Sequence, residues 1–160
     1  MLTPPPFNVL WKNYSSNKIV KLPELFKEIG WDDLITNEVY ANTCAIRVSL
    51  ALIKSGVTIP EGRMPIKAGI HRGKRIEPGQ SKLSNILSKK SMLGRPEKFK
   101  AGEHEAGIGN RSGIVSFFHL MPGVYENGHI DLVAPQAGGA KKCASDCWWS
   151  SKEVWFWALA

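Results

Sequence analysis

Tyr40-Ala41-Asn42-Thr43-Cys44-Ala45-Ile46-Arg47-Val48-Ser49-Leu50-Ala51-Leu52-Ile53 places a single cysteine where a helix begins. Asn42 or Thr43 can serve as N-cap, its side-chain oxygen accepting a free backbone N–H of the first turn. Ile46, Ser49, Leu50 and Ile53 follow at the i, i+3, i+4, i+7 spacing, and Val48, Ala51 and Leu52 extend the apolar surface, so a buried helix is expected, ended by Gly56. Cys44 in its first turn meets unpaired amides and the positive end of the helix dipole, which favour the thiolate a nucleophile needs. The competing expectation is an inert core cysteine, since free cysteines commonly pack as small hydrophobes.

Outward from this helix, a short helix is expected over Pro23–Ile29, with Pro23 in its first turn and Gly30 as its stop, preceded by an irregular lead-in over residues 1–20. Thr58–Gly79 is rich in glycine, proline and basic residues and reads as a long surface loop holding at most a short strand. A second helix is expected over Ser81–Leu93 and a glycine-rich loop over Glu97–Ser112. The last third reads as strands: Gly113–Leu120, Gly128–Val133 and Val154–Leu159, with turns at Pro122-Gly123 and Gly138-Gly139. Helices first and antiparallel strands afterwards predict an α+β fold in one domain, residues 1–160.

The chain has 160 residues, 43% of them hydrophobic and 22% charged, which is ordinary for a globular protein and argues against disorder. Its formal net charge of +7 fits nucleic acid, an anionic surface or a carboxylate-rich substrate without choosing among them. The N-terminal stretch lacks the basic and apolar regions of a signal peptide, and no apolar run is long enough to insert in a membrane.

A thiol nucleophile needs a base and a third group that orients the base. Among the four histidines, His129 is the first candidate because it starts a strand directly after Gly128; His119, inside a strand, is the second. Asp131 shares the strand face of His129, but same-face neighbours point in parallel, which favours Asp146 reaching in from a neighbouring turn as the orienting acid. Asp146 lies inside Cys143-Ala144-Ser145-Asp146-Cys147, where a disulfide would stiffen the turn; a reduced pair is the alternative. Two rival classes remain at this point: a zinc site of Cys44, His129, Cys143 and Cys147, and a basic nucleic-acid-binding module.

Three motifs in order, Asn42-Thr43-Cys44-Ala45-Ile46-Arg47, Gly128-His129-Ile130-Asp131-Leu132, and the Cys143/Cys147 pair with the tryptophan-rich segment Trp148–Trp157, resemble family four of the type VI secretion amidase effectors. The similarity runs from about Leu22 to the C-terminus. It implies a papain-like, NlpC/P60-related fold with N-terminal helices packed on an antiparallel sheet, and an antibacterial cysteine peptidase. That enzyme would cut the γ-D-glutamyl to meso-diaminopimelate bond of peptidoglycan stem peptides, with no cofactor or metal. By motif match Cys44 is nucleophile, His129 base and Asp146 the orienting acid, with Asp131 as the alternative because the family carries its acid at the centre of the cysteine pair, where this chain has Ser145. Asn42 or Tyr40 is the expected side-chain donor to the oxyanion. The resemblance also implies a cognate immunity protein, export by the type VI apparatus without a leader, and action in a target cell's periplasm, where a Cys143–Cys147 disulfide is permitted; no nucleic acid is implied.

Overall fold

The computed structural model describes residues 2–120 and 128–160. Among the described residues the α-helices and strands are, in order, α1 (Phe7–Asn13), α2 (Leu22–Ile29), α3 (Cys44–Lys54), β1 (Met64–Pro65), β2 (Arg75–Ile76), α4 (Gln80–Leu87), β3 (Glu97–Lys100), α5 (His104–Ile108), β4 (Gly113–Phe118), β5 (His129–Pro135), β6 (Lys141–Cys143) and β7 (Glu153–Ala158). Strands β3 to β7 form one sheet in the order β3-β7-β4-β5-β6, every pairing antiparallel. This is an α+β fold of helices on an antiparallel sheet. Among the described residues no helix is long and apolar enough to cross a membrane.

Helix α3 is the centre of the core. All residues from Cys44 to Ile53 are buried, because apolar side chains occur on every side of the helix and each side has a neighbour to meet. Ala45, Val48 and Leu52 join Ile130 and Leu132 of β5 in one cluster that also takes in Leu10 of α1. Ile46, Leu50 and Ile53 face the other way, onto Leu25, Phe26 and Ile29 of α2 and onto Ile66 and Ile76. A helix clamped on both sides cannot shift without opening two cores, and that fixes its first residue, Cys44, in space.

Helix α2 and its Gly30 stop occur as expected, the glycine adopting φ 76° where a β-carbon would collide with Lys67 and Ala68. The lead-in departs from expectation by containing α1, held by the burial of Leu10. Thr58–Gly79 folds back on itself through the β1–β2 pair. The helix expected to reach Leu93 ends at Leu87; beyond it Leu93 N–H returns to the Leu87 carbonyl in a tight turn.

Glu97–Ser112, expected to be loop, contributes the edge strand β3 and the short helix α5. Its strand is Glu-Lys-Phe-Lys, with Phe99 the only apolar member, and a charged edge of this kind guards a sheet against pairing with other chains while hiding the alternation that marks a strand. The closing strand β7 lies inside the sheet, between β3 and β4. The turn expected at Pro122-Gly123 lies outside the described residues.

Leu52 is fully buried between α1, β5 and α4 neighbours. Leu52→Ala is expected to cost about 2–5 kcal/mol of unfolding free energy, read as a lower urea midpoint with unchanged slope.

Candidate active site

Cys44 opens α3 as its first residue and is 5% exposed. Thr43 occupies the cap position but makes no capping bond from its side chain; Asn42 Oδ1 instead accepts the Cys44 N–H at 3.2 Å. The expected choice between Asn42 and Thr43 therefore falls to Asn42, one step further out, in a turn that aspartate and asparagine side chains favour. Thr43 Oγ1 accepts from Arg47 Nε at 2.8 Å.

His129 is the first residue of β5 and is 8% exposed. Its ring lies stacked against Phe117, its cross-strand partner, with centroids 6.0 Å apart and planes at 22°. Gly128 precedes it because a β-carbon there would collide with the Gln80 side chain, which Ser116 anchors at 2.7 Å, and with the Phe117 carbonyl. His129 Nε2 meets Asp131 Oδ2 at 2.7 Å, and the ring lies near enough to Cys44 for the two to interact. Burial works against its charge, but the bond to Asp131 and the interactions with Cys44 and with the Asp131 charge outweigh burial and hold the pKa up to about 10.

The carboxylate beside His129 is therefore Asp131, and the expectation that Asp146 would fill this place is not met. The parallel direction of same-face strand neighbours was the argument against Asp131. It is overcome because His129 stands at the strand's end, where its long ring can lie back along the edge and reach a side chain two residues on. Asp131 is fully buried and accepts four groups: His129, the N–H of Leu132 at 2.7 Å, that of Ser145 at 3.1 Å and that of Asp146 at 2.8 Å. Asp146 thus contributes its backbone to this arrangement. Its own carboxylate is exposed and accepts from Asn17 Nδ2 at 3.1 Å.

Cys143 and Cys147 are joined by a disulfide, with Cα atoms 5.4 Å apart, closing the loop whose amides hold Asp131. The bond also consumes two of the four ligands of the zinc alternative, and Cys44 is the free cysteine. Sequence reasoning missed the strap outside this loop. Tyr14 Oη and Ser145 Oγ bond at 2.9 Å, Ser16 Oγ donates to the Ala144 carbonyl at 2.8 Å, and Arg47 donates to the carbonyls of Ser15 and Val20. Burial, then the charge of Asp131, pushes the Tyr14 hydroxyl well above its ordinary pKa, so it stays a neutral donor. The available signal was Arg47 itself: a lone cation among apolar helix positions must find acceptors.

Two cavities meet at Cys44. The larger, about 670 Å³, is lined by Tyr40, Asn42, Arg63, Gln80, Lys82 and His119 among others; the smaller, about 360 Å³, by Asn42, Arg47, His129, Asp146 and Trp148 among others. His119, the second histidine candidate, stands apart from the Cys44–His129 contact on the wall of the larger cavity and adopts φ 55°, a conformation that costs a non-glycine residue about 1 kcal/mol or more.

With this geometry in view, comparison with known proteins is decisive. The family model for type VI secretion system (T6SS) amidase effector protein 4, Tae4, matches residues 40–157. The chain belongs to the Tae4 family. It is accordingly a T6SS amidase effector, and its fold is shared with solved Tae4 structures. The Enterobacter cloacae Tae4–Tai4 effector–immunity complex matches with TM-score 0.75 and 20% identity over 99% of this chain and 100% of that one. Tae4 of Enterobacter cloacae alone gives 0.74 and 21% over 99% and 98%, and the Salmonella Typhimurium Tae4–Tai4 complex 0.70 and 18% over 99% and 100%. No curated protein sequence matches.

The folded ring of His129 keeps its proton to about 10, whereas an unfolded histidine releases it near 6.5. The resulting stabilisation is complete below about 6.5 and is lost as pH rises through 10. Wild type should therefore exceed Asp131→Asn in denaturation midpoint by most near pH 6, with the difference shrinking toward pH 10. A constant difference would mean that the ring carries no charge.

Proposed function

We propose that this Tae4 chain, working as one domain over residues 1–160, is a cysteine peptidase that hydrolyses the γ-D-glutamyl to meso-diaminopimelate bond of peptidoglycan stem peptides, with Cys44 as nucleophile, His129 as base and Asp131 as the orienting acid. The observation that carries this reading is the buried His129 ring held between Cys44 and Asp131 where two cavities meet. Membership of an amidase family agrees with it.

The Cys44 thiolate, beside a protonated His129, attacks the γ-glutamyl carbonyl carbon, and the carbonyl oxygen takes the negative charge. The Cys44 N–H is the nearest backbone donor for that oxyanion, but Asn42 Oδ1 holds it in the free enzyme. The oxyanion displaces that oxygen, and Asn42 turns its amide N–H toward the charge; Tyr40, on the wall of the larger cavity, contacts the acyl fragment. His129 then gives its proton to the leaving amine as the C–N bond breaks. Water enters, loses a proton to His129, attacks the thioester, and releases the acid with the Cys44 sulfur restored. Asp131 keeps the ring in one orientation throughout, itself fixed by three backbone N–H groups.

The biological setting follows from the same reading: secretion by the type VI apparatus, and action in the periplasm of a target bacterium. The Tae4 structures solved with Tai4 support a cognate immunity protein as partner.

Incubating sacculi with wild-type protein should release muropeptides cut at the γ-glutamyl to diaminopimelate bond, as read by mass spectrometry, and Cys44→Ala should release none while remaining folded. Asp131→Asn is expected to lower kcat by about 10³–10⁴-fold through loss of ring orientation, whereas Asp146→Asn should stay within a few-fold of wild type. The reverse ranking would return the orienting role to Asp146.

A further inference from the structure

The larger cavity carries more positive charge than the chemistry at Cys44 uses. Arg63 and Lys82 line it, and among the described lining residues there is no carboxylate. Arg63 is steadied from behind: its Nε and Nη2 reach the buried Glu77 carboxylate at 2.9 and 2.6 Å, and Glu77 also accepts the Gly79 N–H at 2.7 Å. Glu77 is thereby occupied, and Arg63 Nη1 donates to nothing among the described residues. Lys82 is exposed to the cavity from the first turn of α4 and has no ion-pair partner there. That helix start has no side-chain cap, because Gly79 holds the cap position. Gln80 is 92% buried with Nε2 committed to Ser116, which leaves its Oε1, on the cavity wall, as an acceptor without a donor among the described residues.

A wall with two cations and a fixed amide oxygen beside the nucleophile suits a peptide residue that bears a free carboxylate next to an amide N–H. The smaller cavity, which shares Cys44, carries groups of both signs, the Asp146 carboxylate beside Arg47 and His129, and offers no such cationic wall. A γ-linked glutamyl residue is unusual in keeping its α-carboxylate free, three carbons from the carbonyl that is attacked. We propose that Lys82 and Arg63 read this α-carboxylate, so that the enzyme selects stems with a free γ-linked glutamate and rejects stems in which that carboxylate is amidated. The inference rests on the function proposed above and names the acyl-side determinant of its specificity.

The test is a pair of synthetic peptides, L-Ala-γ-D-Glu-meso-diaminopimelate and the same peptide with the glutamyl α-carboxylate converted to carboxamide. Binding is measured by calorimetry to Cys44→Ala protein, which cannot turn them over. The acid is expected to bind about 10- to 100-fold more tightly than the amide, the range for one charge-assisted contact. In Cys44→Ala/Lys82→Met the ratio should fall to within about twofold, and Lys82→Arg should restore most of it. A ratio near one in the Cys44→Ala protein, or a ratio that Lys82→Met leaves intact, overturns the proposal. Wild-type cleavage of the same peptides separates the two readings: if neither is cut while the binding ratio behaves as expected, the peptidase assignment falls and the carboxylate subsite stands.

Discussion

The Asp131 carboxylate, sealed from solvent and gripped by one ring nitrogen and three backbone N–H groups, is the interaction on which the rest of the site depends. A buried carboxylate left unpaired would be costly in an apolar interior, and these donors satisfy it. Because two of them belong to Ser145 and Asp146, the disulfide loop must sit against β5 for His129 to be held. Against the effect of burial, the bond to this carboxylate raises the pKa of the His129 ring, which lies beside Cys44. Sheet, loop and the start of α3 are thereby joined through one carboxylate.

The loop that supplies these amides has its own support. The disulfide closes it from within, and the N-terminal segment closes it from outside through Tyr14 and Ser16. Arg47 ties the same segment to α3 three residues beyond Cys44, its desolvation offset by two backbone carbonyls and a hydroxyl. Residues before the helix of Cys44 thus act as a brace for residues at the far end of the chain. The arrangement explains how a buried arginine is accommodated in a largely apolar helix.

Around Cys44 the charged groups of the two cavities differ, Arg63 and Lys82 lining the larger and Arg47, His129 and Asp146 the smaller, and the difference has a structural origin. Glu77 is turned inward to hold Arg63 and the α4 start, which leaves cations facing the larger cavity; Asp146 is turned outward because the interior position is already taken by Asp131.

Much of this was legible in the chain. The apolar pattern of residues 44–53, the asparagine two before the cysteine, the glycine before His129 and the alternation of β5 each follow from local sterics and periodicity, which a sequence carries directly. The Cys44, His129 and Cys143/Cys147 motifs could be recognised in order, and with them the family. Three matters were settled only in the folded molecule. The edge strand β3 depends on a partner 50 and more residues away, and its charged surface conceals it. The strap from Tyr14, Ser16 and Arg47 joins side chains with no shared spacing. The placement of Asp131 rather than Asp146 beside His129 turned on the direction of one ring at a strand's end and on which carboxylate the loop amides could reach, and those are properties of packing, which no local pattern records.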